Sequence, residues 1–496
     1  MDQAAAGKPK LSRRPITRRR FLNTALSVAA LAASPLRAQT NPIAGANPLA
    51  RTQPESVLVV GAGLAGLVAA YRLRDAGKRV TLIEARAAPG GRVRTLRGYF
   101  DDGIYGELGA ARVAETHDHV LHWISELGLS LTAFAPPGVG LQVVGRQRAV
   151  ADDEAARARI APGLSRDERS LSPSGLLLKY LKGLPDELAD PEIDLSNPRW
   201  RPFDAQAWPA FLTARGASKA AIQLMTLGGD SSAFSALFML QQIMLHRDSH
   251  QYMKIEGGMD GLPRGLAGRL KDVVRYNCAL TRLDRGPNGI RATVKIGDRS
   301  ETVPADRVVL AIPFSTLRDI VIDPPFSPEK TQIIKDLTYY AATRFLLQTK
   351  TRFWQKTRLT GGARTDGPAD IWDMSFGQKG TRGLISLTTG NAAIDQRLNG
   401  LAAPDQARFG VDLAKAAFPE IEVELQKSYV QRWAADPYVK GAFTVFHPGQ
   451  MTRWARSIGA PENRVHFAGE HIAPWNGWME GALWSGERAA QEILEQ

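Results

Sequence analysis

VLVVGAGLAG, residues 57–66, is a short apolar strand that runs directly into a Gly-x-Gly-x-x-Gly turn. Helix-forming sequence follows at residues 67–73, and a second apolar strand, residues 79–83, ends in an acid. In such a unit the glycines permit a tight turn, close approach of a pyrophosphate to a helix N-terminus, and close helix–strand packing. The alternative is a glycine-rich turn beside a surface glutamate. We predict a dinucleotide site formed by Gly61, Gly63, Leu64, Ala65, Gly66 and the ribose-binding acid Glu84.

A second glycine turn, which carries arginines, follows this acid. Residues 85–95, ARAAPGGRVRT, extend the strand into the turn. The segment resembles the flavin amine oxidase superfamily, which includes the monoamine oxidases and L-amino acid oxidases. In that family a Gly-Gly-Arg loop folds over the FAD diphosphate, so the resemblance implies that Ala85, Arg86, Gly91 and Arg92 contact FAD. A nicotinamide enzyme has no need of this cationic loop, so the prediction is FAD and not NAD.

The far end of the chain carries a second segment of the same family. Residues 465–470, VHFAGE, read as a strand that ends in Gly-Glu, and residues 475–482, WNGWMEGA, lead into a helix. In the family this segment closes the flavin site, and its helix N-terminus stabilises negative charge on the reduced flavin. The resemblance covers roughly residues 55–496. It implies flavin contacts from Gly469, Glu470, Gly477, Trp478, Met479 and Ala482.

The predicted fold class is α/β: a Rossmann-like FAD-binding domain of the glutathione-reductase type, interleaved with an α+β substrate domain and a helical lobe. We assign residues 55–115, 255–310 and 455–496 to the FAD-binding domain. Residues 116–254 and 311–454 then form the substrate domain, including a helical lobe over residues 150–250. The resemblance places Leu280 beside the adenine. The stretch near residues 183–203, which is rich in proline and charge, predicts a surface loop.

Residues 107–113, ELGAARV, carry the candidate substrate arginine. They resemble the L-amino acid oxidase motif, in which an arginine forms a bidentate pair with the substrate carboxylate, and Gly109, Ala110, Ala111 and Arg112 then border the flavin. A planar guanidinium suits a carboxylate better than an ammonium does. The alternative is that Arg112 merely pairs with Glu107 or Asp118 within the protein.

Two aromatic residues are predicted to frame the reacting amine. Phe443 and Trp478, the latter preceded by Gly477, fall where the family sets two facing rings beside the flavin. Such rings define an approach path for the amine and exclude water. Ala442 stands where monoamine oxidases have a cysteine bonded to the flavin, so we expect noncovalent FAD.

The sequence departs from the family at two positions. Arg344 falls where the family has a lysine that holds a water against the flavin and assists reaction with oxygen. Arginine keeps the positive charge but is bulkier, so oxygen or another acceptor remains open. Thr388 falls where L-amino acid oxidases have a tyrosine that assists the carboxylate arginine.

The expected activity is oxidative deamination of an L-amino acid. Hydride passes from the α-carbon to flavin N5, and the imine hydrolyses to keto acid and ammonia while oxygen regenerates FAD and yields hydrogen peroxide. Three alternatives stay open: oxidation of a primary amine or polyamine, desaturation or dehydrogenation with another acceptor, and FAD binding without turnover.

Charge and composition limit the partners. The formal net charge is +13, but residues 1–38 hold eight Lys and Arg against one acid, and no basic stripe with interleaved aromatics predicts nucleic-acid binding. Residues 17–22, TRRRFL, resemble the twin-arginine consensus. With the short apolar stretch behind them they predict a signal peptide over residues 1–38, the translocation machinery as partner and a periplasmic or secreted location without a stable membrane anchor. The one cysteine, Cys278, is expected to be a buried thiol, and no metal site is expected.

Overall fold

The strand that opens the glycine motif lies at the centre of a parallel sheet. The structure is a computed structural model, and it describes residues 54–496. The predicted signal peptide over residues 1–38 therefore lies outside the described residues. All four neighbouring strand pairs in the sheet are parallel. Helices cover one of its faces, and the strands Gly289–Ile296 and Arg299–Ala305 of an antiparallel sheet contact the other. Both faces are thus buried, which is why the strands read as nearly continuous apolar runs. The order is Val274–Arg275, Arg79–Ile83, Ser56–Val60, Arg307–Leu310 and Val465–Phe467.

Two helices from opposite ends of the chain pack together on this sheet. Leu64–Asp75 follows the first glycine turn, and Met479–Leu494 closes the chain. A Cβ added at Gly486 would lie 2.2 Å from the carbonyl oxygen of Ala65, so only a glycine permits this approach. The packing brings the two sequence motifs, about 400 residues apart, to one edge of the sheet.

A seven-stranded, mostly antiparallel sheet forms the second layer that borders the site. It is built from residues 139–150 and 343–432, with one parallel contact between Leu359–Thr365 and Val139–Val144. The order is Leu425–Arg432, Thr343–Thr349, Gly383–Thr389, Ala369–Asp373, Leu359–Thr365, Val139–Val144 and Gln147–Val150.

Smaller sheets connect these layers. A four-stranded sheet follows the adenine-side segment, and Val321–Asp323 joins it although this strand follows the predicted domain boundary at residue 310. The strands of these sheets are Arg299–Ala305, Gly289–Ile296, Ala279–Gly286 and Val321–Asp323; Val113–Ala114, Tyr252–Ile255 and Leu131–Ala133; Thr338–Tyr339 with Thr444–Val445; and Thr95–Leu96 with Gly106–Glu107.

The region between residues 150 and 250 is helical, as predicted. Its helices are Glu154–Ile160, Arg166–Arg169, Pro173–Leu181, Arg201–Asp204, Trp208–Ala214, Lys219–Thr226 and Ala236–Leu245. The expected surface loop near residues 183–203 is only partly a loop. Short 3-10 turns, Asp186–Ala189 and Pro198–Trp200, bury Leu188 and Trp200 in the core of the lobe. Burial of these two apolar side chains stabilises the segment against the core, although the residues around them are polar.

The remaining helices support the two layers. They are Asp118–Glu126, Gly261–Gly268, Phe314–Leu317, Pro328–Asp336, Ala392–Asn399, Ala403–Lys415, Ile421–Glu424 and Gln450–Trp454, with 3-10 turns at Asp101–Gly103, Phe353–Thr357 and Glu470–Ile472. Across residues 54–496 no helix combines the length and apolar character needed to cross a membrane. The predicted α/β architecture, a Rossmann-like parallel sheet interleaved with a second sheet region and a helical lobe, is confirmed.

Candidate active site

A single large cavity of about 760 Å³ runs between the parallel sheet, the helical lobe and the seven-stranded sheet. All but one of the predicted site residues border it. They are Gly61, Gly63, Leu64, Ala65, Glu84, Ala85, Arg86, Gly91, Arg92, Gly109, Ala110, Ala111, Arg112, Leu280, Arg344, Phe443, Gly469, Glu470, Gly477, Trp478, Met479 and Ala482.

Gly66 is the exception and corrects the predicted list of cofactor contacts. A Cβ added there would lie 1.9 Å from the carbonyl oxygen of Gly61. The residue therefore faces the strand and not the cavity, and its part is the close helix–strand packing that the motif requires.

The first glycine turn leaves room and hydrogen-bond donors for an anion. Gly61 has a φ of 101°, and a Cβ there would meet the backbone of Ala311, whereas nothing lies within 4 Å of a Cβ added at Gly63. Gly63 caps the helix without a side-chain hydrogen bond, so the first helical N–H groups remain available. A pyrophosphate fits this cradle.

Glu84 is held at the edge of the cavity by backbone groups. Its Oε2 accepts a hydrogen bond from the Ala62 amide at 2.7 Å and its Oε1 one from the Arg86 amide at 2.9 Å. Burial raises the pKa of this carboxyl group. A carboxylate has spare lone pairs beyond these two bonds, so it can still accept from ribose hydroxyls. Cys278 lies next to it, donating its amide to the Glu84 carbonyl, and is buried as predicted.

The second glycine turn and the C-terminal segment are joined by a buried ion pair. Arg92 donates to Glu470 Oε1 at 2.5 Å and to the Ala442 carbonyl at 2.9 Å. Glu470 Oε2 accepts from the Gly477 amide at 2.8 Å. Burial acts to raise the pKa of Glu470, but the Arg92 guanidinium outweighs it and holds the pKa below its usual range. The ion pair therefore fixes the positions of both side chains in the cavity wall.

The C-terminal helix presents its N-terminus to the cavity. Trp478 caps it without a side-chain hydrogen bond, and Met479 and Ala482 border the cavity on its first turn. Glu480 faces away and accepts from the amides of His119 and Val120 at 2.9 Å. The free N–H groups at this end favour negative charge in the cavity.

Arg112 has no acidic partner in the part of the chain that the structure describes. Across the described chain, from residue 54 onwards, it forms neither an ion pair nor a hydrogen bond with Glu107 or Asp118. Its guanidinium carbon lies 5.2 Å from the ring centre of Tyr252 and 5.8 Å from that of Trp372. The planar fork is thus packed between aromatic rings while its donors remain available to a ligand.

Arg344 lies near the same tryptophan. Its guanidinium carbon is 5.4 Å from the ring centre of Trp372. Its Nη1 donates to the carbonyls of Gly109 at 2.6 Å and Glu107 at 3.0 Å, and its Nε donates to the Thr388 hydroxyl at 3.1 Å. Burial, and then the charge of Arg112, lower the pKa of Arg344 to about 10, so it stays protonated at neutral pH.

The two predicted cage residues each have separate ring neighbours. Phe443 packs on Tyr340 with centroids 5.0 Å apart, and Trp478 packs on His246 at 4.6 Å. No direct ring contact joins Phe443 to Trp478 in the part of the chain that the structure describes, although a Cβ added at Gly477 would lie 3.2 Å from the Phe443 side chain. The two rings therefore border the cavity with a space between them.

The cavity residues that sequence reasoning missed include Tyr340, Asp370, Trp372 and Gly228. The strand Ala369–Asp373, sequence ADIWD, alternates in the period of a strand with one face buried, and this was the available signal for Asp370 and Trp372. The sequence did not indicate that the strand face carrying Asp370 and Trp372 borders the same cavity as the flavin-binding segments.

Comparison with known proteins agrees with this geometry. Residues 64–494 match the family described as flavin containing amine oxidoreductase. The chain is 30% identical over 467 residues to the putative L-amino-acid oxidase YobN of Bacillus subtilis (strain 168), covering 90% of this chain and 95% of that protein. It is 31% identical over 455 residues to the L-amino-acid oxidase of Mus musculus, covering 89% and 71% respectively.

Solved structures show the same fold. Putrescine oxidase bound to putrescine superposes with a TM-score of 0.76 at 22% identity, over 89% of this chain and 99% of that one. Cyclohexylamine oxidase from Brevibacterium oxydans IH-35A gives a TM-score of 0.74 at 24% identity, over 89% and 100%. At these identities the likeness concerns the fold alone.

The fold and the cavity define a flavoenzyme of the amine-oxidising class. The chain belongs to the flavin containing amine oxidoreductase family. It is a flavin-dependent amine oxidase, and the predicted FAD cofactor is confirmed at the level of the family.

Proposed function

We propose that this enzyme oxidises L-α-amino acids and that Arg112 binds their carboxylate. The proposal rests on a guanidinium that borders the cavity, packs between Tyr252 and Trp372, and has no acid paired with it among residues 54–496. Arg112 is partly buried, and a cation withdrawn from water is normally paired, so a ligand carboxylate is the natural partner. The relatives named L-amino-acid oxidases support the same substrate class.

The residues of the chain would position the reacting amine. FAD supplies the hydride acceptor when it is bound. Phe443 and Trp478 frame the amine and exclude water, and Arg112 fixes the α-carbon by its carboxylate. The N-terminus of Met479–Leu494 favours negative charge in the cavity. The substrate loses hydride from its α-carbon, and the resulting imine hydrolyses to a keto acid and ammonia.

The cofactor linkage and the acceptor belong to the same proposal. Ala442 borders the cavity, and Cys278, the only cysteine of the chain, lies beside Glu84 at the far end of it, so FAD is held noncovalently. Oxygen is the acceptor, with the positive charge of Arg344 in the place of the family's lysine. The three discontinuous segments assigned above bind FAD, and residues 1–38 direct twin-arginine export to the periplasm.

Anaerobic reduction of the flavin tests the substrate class. The absorbance near 450 nm is followed while L-amino acids and the corresponding decarboxylated amines are added. We expect bleaching by amino acids, and Arg112→Ala should lower kcat/KM for them about a hundredfold or more, because a buried charge pair loses one partner. Arg112→Lys keeps the charge but loses the fork, and should recover only part of this loss.

Arg408→Ala is the matched control, since it removes an exposed arginine from the helix Ala403–Lys415. Bleaching by the amines alone, unaffected by Arg112→Ala, would contradict the proposal and indicate an amine oxidase. Failure of every compound to bleach the flavin would favour a desaturase or a non-catalytic flavoprotein. Admission of air after bleaching measures reoxidation, and a flavin that stays reduced would exclude oxygen as the acceptor.

A further inference from the structure

Three cavity residues form a row across the seven-stranded sheet. Thr388 lies directly opposite Arg344 on one neighbouring strand and opposite Asp370 on the other. Residues that are directly opposite in antiparallel strands present their side chains on the same face, so all three face the cavity that they border. Two strand spacings separate the Cα atoms of Arg344 and Asp370 by about 10 Å.

The carboxylate of Asp370 has one weak ion pair in the protein. Over residues 54–496 it accepts no hydrogen bond. Its ion-pair partner is Arg364, directly opposite it on the next strand, with Nε 3.7 Å from Oδ1, and the side chain of Arg364 is 62% exposed. An ion pair that is so exposed and so long contributes little, and a ligand cation can replace it.

The wall around Asp370 leaves space and adds one more polar group. A Cβ added at Gly228 would lie 3.5 Å from the Asp370 Cβ, and one added at Gly390 would overlap the Tyr340 ring. The Tyr340 oxygen accepts from the Asp230 amide at 3.0 Å, so its own hydroxyl proton remains available. Glycines at these two positions therefore keep this end of the cavity open.

The cavity is consequently dipolar. Two guanidinium groups lie near the Trp372 ring at the end near Gly109, and at the end near Gly228 lies the Asp370 carboxylate, whose ion pair with Arg364 is long and exposed. A neutral side chain reaching Asp370 would displace water from the carboxylate without replacing its hydrogen bonds, which is costly. An acidic side chain would add repulsion. A cationic group satisfies Asp370 and completes the charge balance of the site.

We propose that Asp370 selects L-amino acids whose side chains end in a cation, the class of lysine, ornithine and arginine. This inference rests on the proposed function, since Arg112 holds the α-carboxylate. The Arg112 guanidinium carbon lies 5.8 Å from the Trp372 ring centre, and Asp370 precedes Trp372 by two residues on the same face of the strand, about 7 Å along it. A long cationic side chain, such as lysine on its four-carbon stem, can span this distance.

Neutral isosteres provide the test. The kcat/KM is measured for L-lysine against L-norleucine and for L-arginine against L-citrulline, since each pair differs in the terminal charge. We expect the wild type to prefer the cationic member at least tenfold. Asp370→Asn should lower that preference about ten- to hundredfold, as expected for loss of a charged hydrogen bond. Asp412→Asn removes an exposed acid from the helix Ala403–Lys415 and should keep the preference.

The outcomes separate the two proposals. Equal use of lysine and norleucine by the wild type, or an equal loss on both substrates in Asp370→Asn, would overturn the role of Asp370 and leave amino acid oxidation standing. Oxidation of cadaverine, which is decarboxylated lysine, in preference to lysine would instead contradict the carboxylate role of Arg112. Flavin content near one per chain in each variant shows that the protein has folded.

Discussion

The two ends of the cavity use their polar side chains differently. At the cofactor end, Glu84 accepts hydrogen bonds from two backbone amides, and Glu470 is bound by Arg92 and the Gly477 amide. At the substrate end, Arg112 and Asp370 have no hydrogen bond to protein groups within residues 54–496. The acids at the cofactor end therefore stabilise the fold as well as the cofactor site, while Arg112 and Asp370 are available to bind a ligand.

This difference predicts which substitutions damage the fold and which change the chemistry alone. A buried charge that has lost its protein partner is costly, whereas a charge that waits for a ligand adds little to stability in its absence. Stability measurements should thus distinguish the two ends before any substrate is known.

The largest effect is expected at Gly66, where the cofactor turn meets its helix. Gly66→Ala places a Cβ 1.9 Å from a backbone oxygen that cannot move aside as a side chain does. We expect the free energy of unfolding to fall by more than about 3 kcal/mol and the flavin content to fall with it. Chemical denaturation and the ratio of absorbance at 450 and 280 nm measure both.

Gly268→Ala is the control for this substitution. Gly268 ends the helix Gly261–Gly268, and nothing lies within 4 Å of an added Cβ. Its effect should stay within about 1 kcal/mol. Full flavin content and unchanged stability in Gly66→Ala would show that the turn is more adaptable than the geometry indicates.

The next effect compares the two ends directly. Glu470→Gln leaves Arg92 without its carboxylate in a buried place, since the Glu470 side chain is only 5% exposed. We expect a loss of about 3 kcal/mol in the free energy of unfolding. Asp370→Asn at the substrate end should change it by less than about 0.5 kcal/mol. Denaturant titrations of the two variants beside the wild type measure the contrast.

A surface pair calibrates this comparison. Arg275 and Glu301 form two hydrogen bonds of 2.8 and 2.7 Å, but both side chains are exposed. Glu301→Gln should therefore cost no more than about 1 kcal/mol. If Asp370→Asn proved as destabilising as Glu470→Gln, the division between structural and ligand-binding charges would be wrong.

The same division explains how much the sequence could predict. The glycine turns and the C-terminal Gly-Glu act through backbone groups within a few residues of each motif, so a local pattern indicates them. Asp370 and Trp372 reach the cavity only because their strand pairs with Gly383–Thr389, which pairs with Thr343–Thr349. That register depends on long-range packing, which a local pattern does not contain.

The local sequence also did not indicate which residues of the helical lobe are buried. The polar composition near residues 183–203 predicted a surface loop, but Leu188 and Trp200 anchor it in the core. Burial of one large apolar side chain can hold an otherwise polar segment against the core. The alternative in which Arg112 pairs with Glu107 could be tested only in three dimensions, where Glu107 accepts from Thr95 and the Met259 amide instead.

Two histidines near the substrate end, His117 and His246, differ from Arg112 and Asp370 because their side chains contact each other. His117 and His246 approach to 3.1 Å between their Nε2 atoms, beside Trp478. The Ala114 amide donates to His117 Nδ1 and the Gln242 carbonyl faces His246 Nδ1, so one proton serves the contact when both rings are neutral. Burial, and then His246, lower the pKa of His117 to about 3.

A smaller, pH-dependent effect follows from this pair. Below the unfolded pKa of about 6.5, the unfolded chain binds a proton that folded His117 refuses, so the stability contributed by the neutral ring is lost as the pH falls. Each pH unit should remove about 1.4 kcal/mol from the free energy of unfolding until the folded pKa is reached. Denaturant titrations at pH 6.5, 5.5 and 4.5 should show a shallower slope in His117→Asn than in the wild type.

Comparison of slopes isolates His117 from other titrating groups. Burial raises the pKa of Glu107 to about 7, which stabilises the folded state as the pH falls, but this term is common to both proteins. His119, whose pKa is raised because Glu480 outweighs burial, changes the stability only above its unfolded pKa and so outside this window. His250→Asn, which removes an exposed ring, controls for the loss of a histidine. Equal slopes in wild type and His117→Asn would mean that the ring takes up its proton in the folded enzyme, and the substrate end would then hold a titratable group beside Trp478.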